Sequence, residues 1–413
     1  MQIYQVGGAV RDSLLDKPYH DKDYVVIGAT EEEMLALGYK KVGKTFPVFL
    51  HPESGEEYAL ARKEIKTGNK HCDFEFIFTP NITLEEDSCR RDFTCNAIYK
   101  DIATGEIIDY HKGKEDIEKR VLRHVSEHFS EDPLRVLRMC RFAAQLDFSV
   151  APETMKLCQQ MVQNGALKYL SRDRIWQEFA KALSSPSFYK FIETARECGV
   201  LKEILPEVEQ LWQIPERTDY HPEGNSGAHT MLALKAAQSS DAVVNFTVLL
   251  HDIGKTQTNP ECWPSHRGHD KLGAELIMKI ATRLKTPTFY AEFASFTTAH
   301  HMLYHRPLPN IMQELAEVAI VLAKQEQWEY FRRYTDVLKA DMQGRQKDDF
   351  TEEFQEFEKF ENYLQRLMTT ARQYNVSAIP EFEEILAKVQ SGILPPTALQ
   401  KAHITFILTQ APL

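Results

Sequence analysis

No apolar run in this chain of 413 residues approaches the roughly 20 that a membrane-spanning helix needs, so no membrane role is expected. Cysteine is scattered, seven residues without a CxxC pair, which excludes a disulfide framework and a zinc knuckle. Repeats, low-complexity tracts and long Gly/Ser linkers are also missing. A strand-like stretch begins at Gln2 and leaves no room for a signal peptide, so the cytoplasm, with reduced thiols, is the expected setting. Basic charge is in deficit. A net charge of −11 counts mildly against a nucleic-acid partner, because phosphate contact needs a basic surface. It leaves room for a local stripe. Arg62-Lys63 with Lys66 and Lys70 is one candidate, and Lys168 with Arg172 and Arg174 is another. Each reads first as a solvated face.

What is present is ordinary in bulk: 43% hydrophobic and 26% charged residues, in a chain long enough for two or more domains. The informative stretch lies near the N-terminus. Gln2 to Val6 reads as a strand, Gly7-Gly8-Ala9-Val10-Arg11-Asp12 as a turn into a helix over Ala9 to Leu15, and Asp21-Lys22-Asp23 as the entry to an apolar strand, Tyr24 to Ile27. Glycines at a strand-to-helix turn let backbone N–H groups approach phosphate oxygens, and the helix start adds its positive dipole. Arg11 sits in the first turn. Asp21 and Asp23, at i and i+2, share one strand face and offer hard oxygen ligands suited to Mg²⁺ carried in by a triphosphate. A glycine turn with two solvated aspartates is the plainer alternative, and the joint spacing favours the triphosphate site. Glu57, on a later strand, is either a third carboxylate of that site or an edge-strand surface residue.

Short apolar runs around Val48-Phe49-Leu50, Tyr58-Ala59-Leu60, Phe74 to Phe78 and Glu106-Ile107-Ile108 read as strands of a mixed sheet. Beyond about residue 115 the pattern is helical almost to the end. Arg90-Arg91-Asp92-Phe93-Thr94-Cys95-Asn96-Ala97 reads as two arginines running into a helix start capped by Asp92, with Arg91 a candidate nucleotide contact through its fork of donors. In Glu131-Asp132-Pro133-Leu134-Arg135-Val136-Leu137-Arg138, proline at the first helical position makes Asp132 the N-cap. Asp132 and Arg135 also share a helix face. An acceptor beside a donor matches cytosine and adenine, which offer an amino donor next to a ring-nitrogen acceptor. Uracil and guanine present the reverse order. Arg138 lies one step along the same ridge, within reach of phosphate.

The combination of GGAVRD, DKD, RRDFTCNA and EDPLRVLR resembles the class II tRNA nucleotidyltransferases, the CCA-adding enzymes. The resemblance implies an α+β architecture, with a polymerase-β-like nucleotidyltransferase head around a mixed sheet followed by helical neck, body and tail. It implies that Asp21 and Asp23 bind Mg²⁺. It further implies that Gly8, Arg11, Arg91, Arg135 and Arg138 contact incoming CTP or ATP, and that Asp132 and Arg135 read the base. The tRNA 3′ end would be the acceptor. Bacterial poly(A) polymerases share these motifs and are the first rival.

A second constellation follows. His229-Thr230 opens a helix, and Val248-Leu249-Leu250-His251-Asp252-Ile253-Gly254-Lys255, His269 and His300-His301 come after it. Clustered imidazole and carboxylate suit a divalent metal. The apolar-HD-x-GK string after a helix-borne histidine resembles the HD-domain metal phosphohydrolases. His229, His251 and Asp252 are the candidate ligands, with His269, His300, His301 and Asp341 as further candidates. An HD tail on this head resembles bacterial CCA-adding enzymes whose tail has phosphatase, 2′-nucleotidase and 2′,3′-cyclic phosphodiesterase activity, with a divalent transition metal such as Ni²⁺. The expected organisation is a head over residues 1–140, a tRNA-binding neck and body over 141–221, an HD domain over 222–345 and a helical tail over 346–413, as a monomer or homodimer. A phosphohydrolase with a nucleotide-sensing head, and a purely RNA-binding helical protein, are the remaining alternatives.

Overall fold

The computed structural model describes residues 1–413 apart from 20, 43–47, 67–73 and 325–327. The chain divides into two compact units, 1–204 and 205–413.

The first unit begins with β1 (Gln2–Val6), α1 (Gly8–Leu14), β2 (Asp23–Ile27), α2 (Glu31–Ala36), β3 (Lys40–Val42), β4 (Val48–Leu50) and β5 (Glu57–Leu60). It continues with β6 (Lys63–Lys66), β7 (Phe74–Ile77), α3 (Leu84–Cys89), β8 (Ile98–Asp101), β9 (Ile107–Asp109) and α4 (Gly113–Glu118). Seven strands form one sheet in the order β3-β4-β5-β2-β1-β8-β9, while β6 and β7 pair with each other. Only β2 and β5 run parallel in the larger sheet, so it is mixed. Its centre is covered on both faces, which is why Tyr24-Val25-Val26-Ile27 is apolar without a break. Val25 joins Tyr4, Val6, Ile82, Leu84 and Tyr99 on one side. Val26 joins Met34, Phe49, Tyr58 and Leu60 on the other. Thr30 with Glu33, and Thr83 with Glu86, form capping boxes that fix the starts of α2 and α3.

One local expectation fails. No helix starts at Asp92. The chain leaves α3, makes a single 3₁₀ turn over Thr94–Asn96 and enters β8. Asp92 instead accepts from Phe93 N at 2.8 Å and from Asn96 Nδ2 at 3.1 Å.

Helices then take over: α5 (Leu134–Leu146), α6 (Pro152–Gln163), α7 (Arg172–Leu183), α8 (Phe188–Glu197) and α9 (Val200–Ile204). Asp132 Oδ1 accepts from Leu134 N at 3.0 Å and so caps α5. α5 lies against α7 and α8. The buried Arg141 of α5 donates from Nε to Glu178 Oε2 of α7 at 2.5 Å and from Nη1 to Gln145 Oε1 at 2.6 Å.

The second unit is helical: α10 (Pro206–Gln210), α11 (Ser226–Ala237), α12 (Ala242–Leu250), α13 (His269–Leu284), α14 (Thr288–His300), α15 (Leu308–Ala323), α16 (Glu329–Gln343), α17 (Thr351–Gln373), α18 (Phe382–Gln390) and α19 (Ala398–Gln410). Asn225 caps α11 through Ala228 N, and Asp241 caps α12 through Val243 N and Val244 N. Residues 243–250 are buried throughout, so α12 is an interior helix whose C-terminal end delivers His251 and Asp252. Among the described residues, no helix is long and apolar enough to cross a membrane.

Candidate active sites

The N-terminal motifs converge on one cavity of about 520 Å³, whose wall includes Gly7, Gly8, Arg11, Asp23 and Arg91. Gly7 makes the turn from β1 to α1 at φ 78°, a conformation that favours glycine. A Cβ there would lie 4.0 Å from Asp23 Oδ2, so backbone and carboxylate face the same opening. Asp23 pairs in register with Glu57 across the parallel β2–β5 contact, which puts both on one sheet face. Asp21 stands two residues earlier and is exposed, as are Asp23 and Glu57. Neither Asp21 nor Glu57 forms part of the cavity wall. The protein around Asp23 raises its carboxyl pKa, Arg91 pulls it back and Asp21 pushes it further up.

The arginines are held in place before any ligand arrives. Arg11 donates from Nη1 to Asn96 Oδ1 at 2.6 Å and from Nε to Asp12 Oδ1 at 2.9 Å, with its guanidinium 5.3 Å from the Phe142 ring centre. Arg91 donates to the Tyr99 hydroxyl at 2.8 Å and to Asp87 Oδ2 at 3.1 Å. Burial of Asp87 works against its charge, yet Arg90 and Arg91 hold its carboxyl well below the usual carboxylate range. Arg138 donates from Nε to Asp92 Oδ2 at 2.8 Å. Burial opposes the Asp92 charge as well, but Arg138 and Asn96 outweigh it and keep the carboxyl at about 2. Arg135 donates to His128 O at 2.7 Å and to Arg90 O. Asp132 meets Arg174 of α7, whose Nη2 lies 3.2 Å from Oδ2.

The basic stripes divide. Arg62 is buried in the cavity wall, and Lys63 is exposed and paired with Glu86 at 2.7 Å. The Lys66 side chain and Lys70 lie outside the described residues. Lys168 and Arg172 are exposed, and Arg174 turns into the cavity.

In the second unit, His229 of α11, His251 and Asp252 after α12, His269 at the start of α13, His301 after α14 and Asp341 of α16 come together, all buried. His229 Nε2 lies 3.2 Å from His251 Nε2, 3.0 Å from Asp341 Oδ1 and 3.7 Å from Asp252 Oδ2. The other oxygen of Asp252 lies 3.3 Å from His269 Nε2 and 3.7 Å from His301 Nε2, and those two nitrogens are 3.3 Å apart. Asp252 thus stands between two sets of donors. The structure does not bring His300 into either. Its Nδ1 faces Phe296 O at 2.8 Å.

The hydrogen bonds assign the rings. His229 Nδ1 meets Gly344 O at 2.8 Å, His251 Nδ1 meets Val248 O at 2.8 Å, His269 Nδ1 meets His266 O at 2.7 Å and His301 Nδ1 meets Thr298 O at 2.7 Å. A carbonyl only accepts, so each Nδ1 carries the proton, and a neutral ring then presents a bare Nε2 lone pair. Neutral rings would set acceptor against acceptor at 3.2 and 3.3 Å, which a shared cation relieves; without one, burial disfavours charge on His251 but Asp252 and Asp341 outweigh it and raise its pKa to about 10.

Three supports went unforeseen in the sequence. Lys255 donates to Asp252 Oδ2 at 2.8 Å and to Glu216 Oε1 at 2.7 Å. The Tyr304 hydroxyl donates to Asp341 Oδ2 at 3.1 Å. Glu223 Oε1 lies 3.3 Å from His229 Nδ1. Lys255 carried a local signal as the lysine of HD-x-GK, whereas Glu216, Glu223 and Tyr304 carried none. Gly344 is a close approach. A Cβ on it would meet Ala233 Cβ and His229 Cε1, each at 2.9 Å. The cluster opens on a cavity of about 670 Å³ whose wall also carries Arg217, Arg267, Arg306 and Arg345.

Residues 3–123 match the family model of the poly A polymerase head domain, and residues 147–211 match that of a probable RNA and SrmB-binding site of polymerase A. A multifunctional CCA protein from Teredinibacter turnerae is 46% identical over 350 residues, 84% of this chain and 85% of that protein. One from Vibrio vulnificus is 45% identical, covering 84% and 86% of the two chains. The chain belongs to the multifunctional CCA proteins. Among solved structures, the Bacillus stearothermophilus CCA-adding enzyme in complex with CTP superposes with a TM-score of 0.60 at 22% identity, over 99% of this chain and 93% of that one. The fold of this CCA protein is therefore a polymerase-β-like nucleotidyltransferase head with a mixed sheet, followed by a mostly helical body.

Proposed function

We propose that this CCA-adding enzyme transfers nucleotides from CTP and ATP to the 3′ end of tRNA without a template, restoring the terminal CCA, and that its second unit is a metal-dependent phosphohydrolase. The observation that carries the first reading is the single cavity onto which the GG turn, Asp23, Arg91, Asp132, Arg135 and Arg138 all open. Mg²⁺ fits the hard oxygen donors of Asp21 and Asp23, two residues apart at the start of β2. When bound, Mg²⁺ favours ionisation of the tRNA 3′-hydroxyl and neutralises charge on the leaving group. Backbone N–H groups at Gly8, with Arg11, Arg91 and Arg138, hold the triphosphate in line. The hydroxyl oxygen bonds to the α-phosphorus as the bond to pyrophosphate breaks. Asp132 offers the acceptor and Arg135 the neighbouring donor that together select cytosine and adenine, both in the wall of that cavity.

For the second unit, four converging Nε2 atoms and two buried carboxylates fit a borderline divalent metal such as Ni²⁺. His229, His251, Asp252 and Asp341 would hold one ion, and Asp252 with His269 and His301 offers a further set. The arginine-rimmed cavity suits phosphomonoesters, 2′-nucleotides and 2′,3′-cyclic phosphates. We assign nucleotidyl transfer to residues 1–140, tRNA binding to 141–221, hydrolysis to 222–345 and a helical tail to 346–413.

The test is incubation of a tRNA lacking its end with CTP and ATP, separately and together, with product length read on a gel. Three added nucleotides with both substrates are expected. Long tails with ATP alone would indicate a poly(A) polymerase, and nucleotide binding without extension would leave only the phosphohydrolase with a sensing head.

A further inference from the structure

The wall of the histidine cavity carries a tyrosine that the proposed hydrolysis does not use. Tyr220 is 58% exposed and lines that cavity. It stands on the loop 216–224, which leads into α11 and His229. Glu216 N donates to Gly224 O at 3.1 Å and closes the loop, while Tyr220 N and His221 N both donate to Arg217 O, at 3.0 and 2.7 Å. The loop is tied to the cluster twice. Glu216 Oε1 accepts from Lys255 Nζ at 2.7 Å, and Lys255 also holds Asp252. The ring of His221, next in sequence to Tyr220, lies edge-on to His229 with ring centres 4.9 Å apart. Tyr220 is thus fixed beside the candidate metal ligands.

Arg217, in the same wall, is held against that ring. Asp219 takes its guanidinium side-on, with Oδ1 accepting from Nε at 3.1 Å and Oδ2 from Nη2 at 2.6 Å, and the guanidinium carbon lies 4.8 Å from the Tyr220 ring centre. A cation over one face of a ring is attracted by its quadrupole and steadies it. An exposed aromatic ring with arginine beside it is the surface on which proteins stack nucleobases, because every base has a π-face. The cavity, at about 670 Å³, falls within the roughly 300–1,000 Å³ that encloses whole small molecules, more than a phosphate group fills. A ligand that meets both the ring and the metal ligands needs an aromatic group and a phosphate on one small frame. A nucleotide has both.

We propose that Tyr220, backed by Arg217, is the base-stacking platform of the second unit, so that this cavity takes nucleoside phosphates in preference to phosphoesters without a base. Stacking tolerates any base, so purine and pyrimidine esters are both accepted. The proposal rests on the reading of this cavity as a phosphohydrolase site.

The test uses the full-length chain with Ni²⁺. kcat/KM is measured for adenosine 2′-phosphate and for glycerol 2-phosphate, a secondary phosphomonoester without a base, in wild type, Tyr220→Ala and Tyr220→Phe, with thermal unfolding as the control for folding. Wild type should prefer the nucleotide. Tyr220→Ala should lower that preference about tenfold, chiefly through KM, and Tyr220→Phe should keep it. An equal fall for both esters, an unchanged preference in Tyr220→Ala, or a loss in Tyr220→Phe as large as in Tyr220→Ala would overturn the proposal. Stacking is read separately, with a chelator in place of the metal and CTP saturating the head. Fluorescence of 2-aminopurine riboside 2′-phosphate should be quenched by wild type and by Tyr220→Phe, and not by Tyr220→Ala. Quenching that is equal in all three proteins, or absent from wild type, would overturn the platform. Should wild type hydrolyse neither ester, the phosphohydrolase reading fails, and quenching that depends on Tyr220 would still support a base-binding surface at this cavity.

Discussion

The two sites solve opposite problems. The head cavity is walled by arginines pinned to carbonyls, carboxylates and one phenol, with Asp23 exposed at the start of an interior strand. The second-unit cluster is a buried knot of imidazoles whose Nδ1 protons are spent on backbone carbonyls. On the proposed reading, the first is preorganised for an anion that brings its cation along. On the same reading, the second is preorganised for the cation itself. Preorganisation therefore takes its sign from whichever partner arrives last.

The sharpest way to break this contrast is a crossed pair of variants. Asp23→Ala should reduce nucleotide addition about a thousandfold, the scale of losing several kcal/mol of charge stabilisation, and leave cyclic-phosphate hydrolysis intact. His251→Ala should do the reverse. Loss of both activities in either variant would mean that the sites are not separable.

Metal alone should then distinguish the two. At a concentration near a hundred times its dissociation constant, Ni²⁺ should stabilise the second-unit unfolding step by about 2.7 kcal/mol, and a strong chelator should reverse this. Mg²⁺ without nucleotide should give the head no comparable gain. Differential scanning calorimetry of the full chain measures both, and equal gains would erase the contrast.

A smaller effect concerns acid. The Asp92 carboxyl is held at about 2 in the folded chain, below its unfolded value, so its contribution is present above about pH 4 and is lost as pH falls toward 2. The stability gap between wild type and Asp92→Asn should narrow from about 2 kcal/mol at pH 5 toward zero at pH 2, read by denaturant unfolding. A gap independent of pH would show that the Arg138 pair is not what lowers that carboxyl. Smallest in free energy, Asp132→Ala should relax base choice about tenfold while slowing addition less, and UTP incorporation as poor as before would exclude Asp132 from base selection.

How much could be read from the chain follows from how far each partner lies. Gly7, Arg11, Asp21 and Asp23 sit within one strand–helix–strand passage, so their spacing announces them. His251 and Asp252 are adjacent, yet Asp341 meets His229 from 112 residues away, and only the resemblance pointed to it. Between His300 and His301 periodicity could not choose, because both stand where α14 runs into a 3₁₀ turn. The helix-cap expectation for Asp92 failed because the chain after it makes only a 3₁₀ turn before β8, while its Oδ2 partner, Arg138, lies 46 residues on. Arg174 looked like one more solvated cation beside Arg172, and only the tertiary fold turns it inward.

Gly344 gives the histidine cluster a vulnerability remote from its chemistry. The backbone there is a spacer whose thinness sets how near the end of α16 can lie to α11. A single methyl group would wedge the two apart, tilting the His229 ring and carrying Asp341, three residues upstream, in the same direction. The hydrolysis proposed for this unit would thus be silenced by a lesion that alters no ligand and no charge.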